Sequence, residues 1–155
     1  KSPTRSPIIG RILGENLKSV SKDPANEVAL LVMHGPERKE ENDEELRNLA
    51  RLAAIVKDVT GISEVFYGSL QDDAPPEIRA ANVARMREWI AKANASGKTV
   101  LVEPVLLTAS GRVSQKIGKD LGGLSYTFVD KGMIGHPLFA QWVRDTVAEE
   151  ARPGS

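Results

Sequence analysis

The sequence predicts an α/β protein with a doubly wound, mainly parallel sheet of about four strands and helices on both faces. Four short apolar runs recur along the chain, and segments with helical periodicity separate them. Strands that alternate with helices of this length indicate crossover connections, which join parallel strands. The length of 155 residues is that of a single domain with its own hydrophobic core.

The four apolar runs are the predicted strands. Residues 28–33 read VALLVM and are apolar throughout, which is typical of a strand buried on both faces. The three later runs cover residues 62–70, 99–107 and 124–129. Because proline removes a backbone donor from a sheet, we expect Pro104 to lie near the carboxyl end of the third strand.

The helical segments carry start and stop signals. Helical patterns cover residues 44–59, 77–93 and 136–150, and a short basic helix or turn is predicted for residues 111–121. Pro76 fits the first turn of the second helix, and Gly97 can end that helix in the left-handed conformation. His136 opens the last helix and is predicted to be structural, as a cap or first-turn residue.

The two ends of the chain resemble each other, which bears on its domain organisation. Residues 6–9 read SPII and residues 136–139 read HPLF, and each proline opens an amphipathic segment. Proline-opened helices are common, so residues 1–23 are either an ordinary first helix or the closing helix of a preceding homologous half. In both cases residues 24–150 form the α/β domain and residues 151–155 form a tail.

The composition excludes several classes of protein. The 21 basic and 21 acidic residues cancel, which disfavours a nucleic-acid surface or a polybasic membrane anchor. The absence of cysteine excludes disulfides, thiolate metal sites and cysteine nucleophiles. No apolar run approaches about 20 residues and no glycine-rich phosphate loop follows a strand, so neither a membrane nor an organic cofactor is predicted. A cytoplasmic location is the default, with export after removal of a signal peptide as the alternative.

His34 and Glu103 are the first candidates for chemistry. His34 directly follows the first strand, and ligands bind beyond the carboxyl ends of open parallel sheets. It would bind a metal ion or act as a general base, or else only cap the strand. Glu103 interrupts the apolar third strand, where a buried carboxylate is costly unless it is paired or faces a cleft. If the two strands are neighbours, both residues share one rim; otherwise Glu103 is an exposed strand end.

Charged residues also follow the second and third strands. Asp72 and Asp73 would bind a cation or accept protons, or they mark a turn and the start of the next helix. Arg112, Lys116 and Lys119 form a basic patch. This patch would pair with the carboxylates of an acidic ligand, or it is a solvated helix face.

Several of these motifs together resemble the class II tetrapyrrole chelatases, the sirohydrochlorin cobaltochelatase and ferrochelatase family. Residues 28–35, VALLVMHG, look like that family's first strand and its metal-site histidine, which is His34 here. Residues 102–121, VEPVLLTASGRVSQKIGKDL, are similar to its third strand and the following loop, and residues 135–138 resemble the start of its closing helix. Where the family has a second histidine this chain has Arg112, which stays protonated and cannot bind a cation.

The resemblance implies an enzyme that inserts Co²⁺, Fe²⁺ or Ni²⁺, as a substrate, into an acidic tetrapyrrole such as sirohydrochlorin. It implies that His34 and Glu103 bind the metal ion and take protons. The positions implied to contact the ring are Arg112, Lys116 and Asp72. The family also has an acidic residue after its second strand, and the corresponding position here is either Gln71 or Asp72. Because the second histidine is missing, the alternative is a non-catalytic binding or assembly half-domain that pairs with a sister domain or a second copy. A module for a phosphorylated cofactor is the least favoured function, because the glycine pairs form no convincing amide-rich loop.

Overall fold

A four-stranded parallel sheet forms the centre of the molecule in a computed structural model, which describes residues 2–106 and 111–153. The strands are β1 (Glu27–Met33), β2 (Glu64–Ser69), β3 (Thr99–Pro104) and β4 (Thr127–Phe128). They lie in the order β2-β1-β3-β4, and each neighbouring pair is parallel. The predicted doubly wound α/β fold is therefore confirmed.

Five α-helices surround this sheet in the described residues. They are α1 (Pro7–Val20), α2 (Lys39–Thr60), α3 (Pro76–Ala95), α4 (Gly111–Asp120) and α5 (Pro137–Glu150). The α2 helix begins earlier than the predicted residue 44, because Glu40 and Glu41 favour the amino end of a helix. The β4 strand is limited to two residues of the predicted run 124–129. Leu107, the predicted end of the third strand, lies outside the described residues.

The helix boundaries follow the local signals in the sequence. The α2 helix ends at Gly61, which has φ of +71°, and the residue after the cap of α3 is Gly97, with φ of +77°. The α3 helix begins at Pro76, where no backbone donor is lost. His136 caps α5, since its Nδ1 accepts a hydrogen bond from the backbone N–H of Leu138 at 3.0 Å. The predicted structural role of His136 is thus confirmed.

The hydrophobic core forms two layers, one on each face of the sheet. Alternate residues of β1 point to opposite faces, so Leu31 packs in one layer and Leu30 in the other. The first layer contains α1 and α2, with part of α5 against it. The second layer contains α3 and α4. Helices on both faces of a parallel sheet explain why β1 is apolar throughout.

The α1 helix is an integral part of the first layer. It contributes four side chains that are almost fully buried: Ile9, Ile12, Leu13 and Leu17. It packs along α2 and also contacts α5, so these three helices cover the same face. The origin of residues 1–23 in a preceding homologous half stays a prediction.

The strand order places a switch of direction between β1 and β3. The chain passes from β1 to β2 on one side and then crosses to β3 on the other side. At such a point the connections after neighbouring strands diverge and leave a crevice beyond the carboxyl ends of the strands. Among the helices that the structure describes, none has both the length and the apolar character to cross a membrane.

Candidate functional site

A cavity of about 300 Å³ occupies the crevice between the carboxyl ends of β1 and β3. Its lining is apolar at the level of the sheet, where Val32 lies one residue before the end of β1 and Pro104 ends β3. Four charged or titratable side chains also line it: His34, Asp72, Arg112 and Lys116. An apolar lining with a few polar side chains is the usual form of a site for a small organic ligand.

His34 directly follows β1 and is held between two carboxylates. Its Nδ1 lies 2.7 Å from Asp72 Oδ2, and its Nε2 lies 3.1 Å from Asp73 Oδ2. The imidazole remains 55% exposed, so it is accessible to a ligand. The turn after it needs glycine: Gly35 has φ of +76°, and a Cβ there would lie 1.6 Å from the Ser69 hydroxyl oxygen.

Asp72 is the carboxylate that organises the site. Its side chain is only 7% exposed, and it accepts hydrogen bonds from Lys116 Nζ at 2.7 Å and from Arg79 Nε at 2.9 Å. Burial raises the pKa of Asp72, but the hydrogen bonds from Lys116 and Arg79 outweigh burial and hold that pKa below its ordinary value. Asp72 is therefore ionised, and it lies 2.7 Å from Nδ1 of His34.

Arg79 holds Asp72 in place and was not predicted from the sequence. Its guanidinium contacts both carboxylate oxygens of Asp120, at 3.0 and 2.7 Å, and so connects α3 to α4. The hydrogen bonds that Arg79 donates to Asp120 and Asp72 raise its pKa despite its partial burial. The available sequence signal was an arginine in the first turns of α3, where the helix dipole disfavours a cation unless acidic partners are near.

The structure brings some of the predicted basic residues to the cavity. Arg112 lies in the first turn of α4, Lys116 lies one turn later, and both line the cavity. Lys119 is exposed on α4 and is not among the lining residues. The predicted basic patch is thus divided between the cavity and the solvent.

Glu103 is not brought together with His34. It is 0% exposed, in register with Leu31 of β1, and neither of its carboxylate oxygens has a hydrogen-bond partner among the described residues. The alternation of β3 turns its side chain to the face covered by α1 and α2, whereas the cavity lies on the face of α4. Burial raises the pKa of Glu103 well above its usual value, so it is a neutral acid inside the core.

The residue that faces His34 after β2 is Asp72 and not Gln71. Gln71 adopts a positive φ of 52°, and its amide donates a hydrogen bond to the carbonyl of Glu37 while accepting one from Asn82. These bonds turn Gln71 away from the cavity. Of the two positions left open by the sequence, only Asp72 lies in the site.

The donor set for a metal ion is small. Within residues 2–106 and 111–153, no group of three or more histidine, aspartate or glutamate side chains is arranged to hold an ion. His34 Nε2 and Asp73 Oδ2, which are 3.1 Å apart, form one pair of donors at the exposed rim. Asp73 is 74% exposed, so this pair can bind an ion only if other ligands complete its coordination.

Comparison with known proteins adds no relative from which a function could be transferred. No protein-family model, no curated protein and no solved structure matches the chain. The residues that line the crevice are therefore the basis for assigning a function.

Proposed function

We propose that the chain is a chelatase-like domain that binds an acidic tetrapyrrole of the sirohydrochlorin type and inserts Co²⁺, Fe²⁺ or Ni²⁺ into it, in the cytoplasm. The observation that supports this proposal is the position of His34. It stands at the rim of the crevice between β1 and β3, is held by ionised Asp72, and shares the cavity with Arg112 and Lys116. An imidazole and two cations at one opening suit a ligand that carries both N–H groups and carboxylates.

The chemistry assigns a separate role to each side chain. Asp72 lies 2.7 Å from Nδ1 of His34 and Asp73 lies 3.1 Å from Nε2, so the two carboxylates hold the imidazole at the rim of the cavity. Metal insertion replaces two pyrrole protons with one divalent ion, so a nearby base is required. In the proposal the His34 imidazole takes one pyrrole proton, and the second pyrrole proton passes to water at the exposed rim. Asp73 helps to bring in the ion, and Arg112 and Lys116 pair with ring carboxylates. Glu103 has no role, because it is enclosed in the core.

The size of the cavity limits how the ring can bind. A volume of about 300 Å³ is at the lower end for small-molecule sites, so the cavity encloses an edge of a tetrapyrrole and not the whole macrocycle. The remainder of the ring would project from the crevice. This geometry leaves the outer face of the ring open to solvent or to a second domain.

A second candidate function is a non-catalytic binding or assembly half-domain. The specific observation in its favour is the small donor set: Arg112, which the family resemblance aligns with the second histidine, lines the cavity with a side chain that cannot bind a cation. With one histidine at the rim, the site can hold an acidic ring without inserting a metal ion. Such a domain would need a sister domain or a second copy to complete a catalytic cleft.

The test is Co²⁺ insertion into sirohydrochlorin by the purified chain, followed by the absorbance of the ring, together with a direct binding titration. We expect His34→Ala to reduce turnover by about 100-fold or more with little effect on ring binding, because it removes the base. Lys116→Ala should weaken ring binding. Lys119→Ala is the matched control on the same helix and should behave like the unchanged chain.

The outcomes separate the two functions. Ring binding that depends on Lys116, without turnover, supports the half-domain and contradicts the enzyme. Equal turnover by the unchanged chain and His34→Ala contradicts the role of His34. A chain that neither binds the ring nor inserts the ion contradicts both proposals.

A further inference from the structure

The outer edge of β2 has no neighbouring strand within residues 2–106 and 111–153. β2 pairs with β1 on its inner side, and no described residue pairs with it on its outer side. An edge strand presents backbone N–H and C=O groups that can pair with another strand, and proteins commonly protect such edges with lysine, proline or a bulge. The sequence of β2, EVFYGS, contains neither lysine nor proline.

An apolar groove runs along this edge. A cavity of about 520 Å³ lies against β2 between α2 and α3, and aromatic side chains form much of its lining. Phe66 stacks on Trp89 with ring centroids 5.1 Å apart, and Tyr67 lies on the opposite face of the strand. The groove therefore offers both free backbone groups and apolar surface, which is the combination that another strand would cover.

Two charged residues lie at opposite ends of the same edge. Glu64 begins β2, is exposed, and forms no ion pair with any residue that the structure describes. Arg85 lies on α3 and lines the groove with Gly68 and Ser69 at the carboxyl end of β2, where its Nη1 donates a hydrogen bond to Asn82 Oδ1 at 3.2 Å. Glu64, Phe66 and Gly68 lie at alternate positions of β2, on the face of the sheet that α3 covers.

We propose that this edge pairs with the β2 edge of a second copy of the chain, antiparallel and across a two-fold axis at Phe66. In such a pair, residues directly opposite each other lie on the same face of the sheet. Glu64 of each copy then lies opposite Gly68 of the other copy, beside Arg85. Glu64 of each copy therefore lies near Arg85 of the other copy. The two-fold axis repeats this pair of opposite charges at both ends of the interface.

The pairing does not rest on the function proposed for the crevice. The crevice lies between β1 and β3, whereas the pairing uses the far side of β2, so both crevices stay open in the dimer. The result would be one continuous sheet of eight strands, since each copy contributes the four described here. Apolar side chains at the centre and charges at the ends are the usual arrangement of a specific interface.

The test is the molar mass of the full chain in solution, measured by sedimentation over a range of concentrations. We expect a monomer–dimer equilibrium for the unchanged chain. Glu64→Arg and Arg85→Glu should each raise the dimer dissociation constant by about tenfold or more. Each variant places two like charges beside each other, at positions 64 and 85 of opposite copies, at both ends of the interface. The combined variant with both changes should restore dimerisation, since the two charges are only exchanged.

Arg144→Glu is the matched control, since Arg144 is exposed on α5, a helix that packs against α1 and lines neither the β2 edge nor its groove. A monomer at every concentration overturns the proposal, as does an equal effect of Arg85→Glu and Arg144→Glu. The chain has no cysteine, so a disulfide between two copies can form only at a cysteine that is introduced. Phe66→Cys should form a covalent dimer on oxidation and Arg144→Cys should not; the reverse result also overturns the proposal.

Discussion

Glu103 shows how strongly burial can change the acid–base behaviour of a side chain from its behaviour in water. It lies in the interior of β3, it is 0% exposed, and neither carboxylate oxygen has a partner in the described part of the chain. A carboxylate in this position would lose its hydration without compensation, so the side chain binds a proton instead. The pKa of Glu103 is accordingly raised well above 4.5 by burial.

Stability should therefore fall as the pH rises above the ordinary pKa of glutamate. Above about pH 4.5 the unfolded chain releases the Glu103 proton while the folded chain keeps it, so each pH unit costs up to about 1.4 kcal/mol until the folded pKa is reached. Glu103→Gln removes this dependence, because its amide carries no titratable proton. Urea unfolding from about pH 4 to about pH 8 measures the effect as the difference between the two stability profiles.

The matched control for that experiment is Glu150→Gln, because Glu150 is exposed at the end of α5 and away from the edge of β2. This variant should keep the pH dependence of the unchanged chain. Parallel profiles for the unchanged chain and Glu103→Gln would contradict the assignment of a buried neutral acid.

At the scale of secondary-structure elements, the contact between α1 and α2 depends on two glycines. A Cβ at Gly10 would lie 3.0 Å from the side chain of Ile55, and one at Gly14 would lie 2.8 Å from that of Val59. These distances show that the two helices approach each other with no space for a larger side chain. The glycines lower the helix propensity of α1 by about 1 kcal/mol each, which packing must offset.

Gly14→Leu should destabilise the fold by about 2–3 kcal/mol, because the added side chain forces α1 and α2 apart. Thermal or urea unfolding measures the change. Gly135→Leu is the matched control, since no atom lies within 4 Å of a Cβ at Gly135. A loss of similar size in both variants would show that the close approach is not the cause.

At the scale of the whole molecule, the first 23 residues and the rest of the chain share one core. The four buried side chains of α1 cover the same face of the sheet as α2 and α5. Burying a large aliphatic side chain stabilises a fold by about 1.5–3 kcal/mol, and the net stability of a domain is about 5–15 kcal/mol. The contribution of α1 is therefore comparable to the stability of the entire fold.

Deletion of residues 1–23 should abolish cooperative unfolding, because it exposes the apolar faces of β1 and α2. Circular dichroism during heating would show a broad transition or none, and tryptophan fluorescence provides a second probe. A truncated chain that unfolds cooperatively at the same temperature would show that the helix is dispensable. That result would also favour the hypothesis that α1 belongs to a preceding half.

The architecture of this molecule could be predicted because its signals are local. The apolar run of β1, the prolines that open α1, α3 and α5, and the glycines after α2 and α3 each act within a few residues. The weakest prediction was β4, which has two residues of the predicted run 124–129. They pair with Leu101 and Val102 of β3, a contact between distant segments that local propensity does not specify.

The sequence by itself determined the α/β class, the number of strands and the position of His34 beyond β1. Only the tertiary structure decided which polar side chains meet. It turns Asp72 and not Gln71 toward His34, brings Arg79 and Asp120 behind Asp72, and encloses Glu103 in the core. The physical reason is that these partners are far apart in the chain, and their contacts depend on strand order and on the face to which each side chain points.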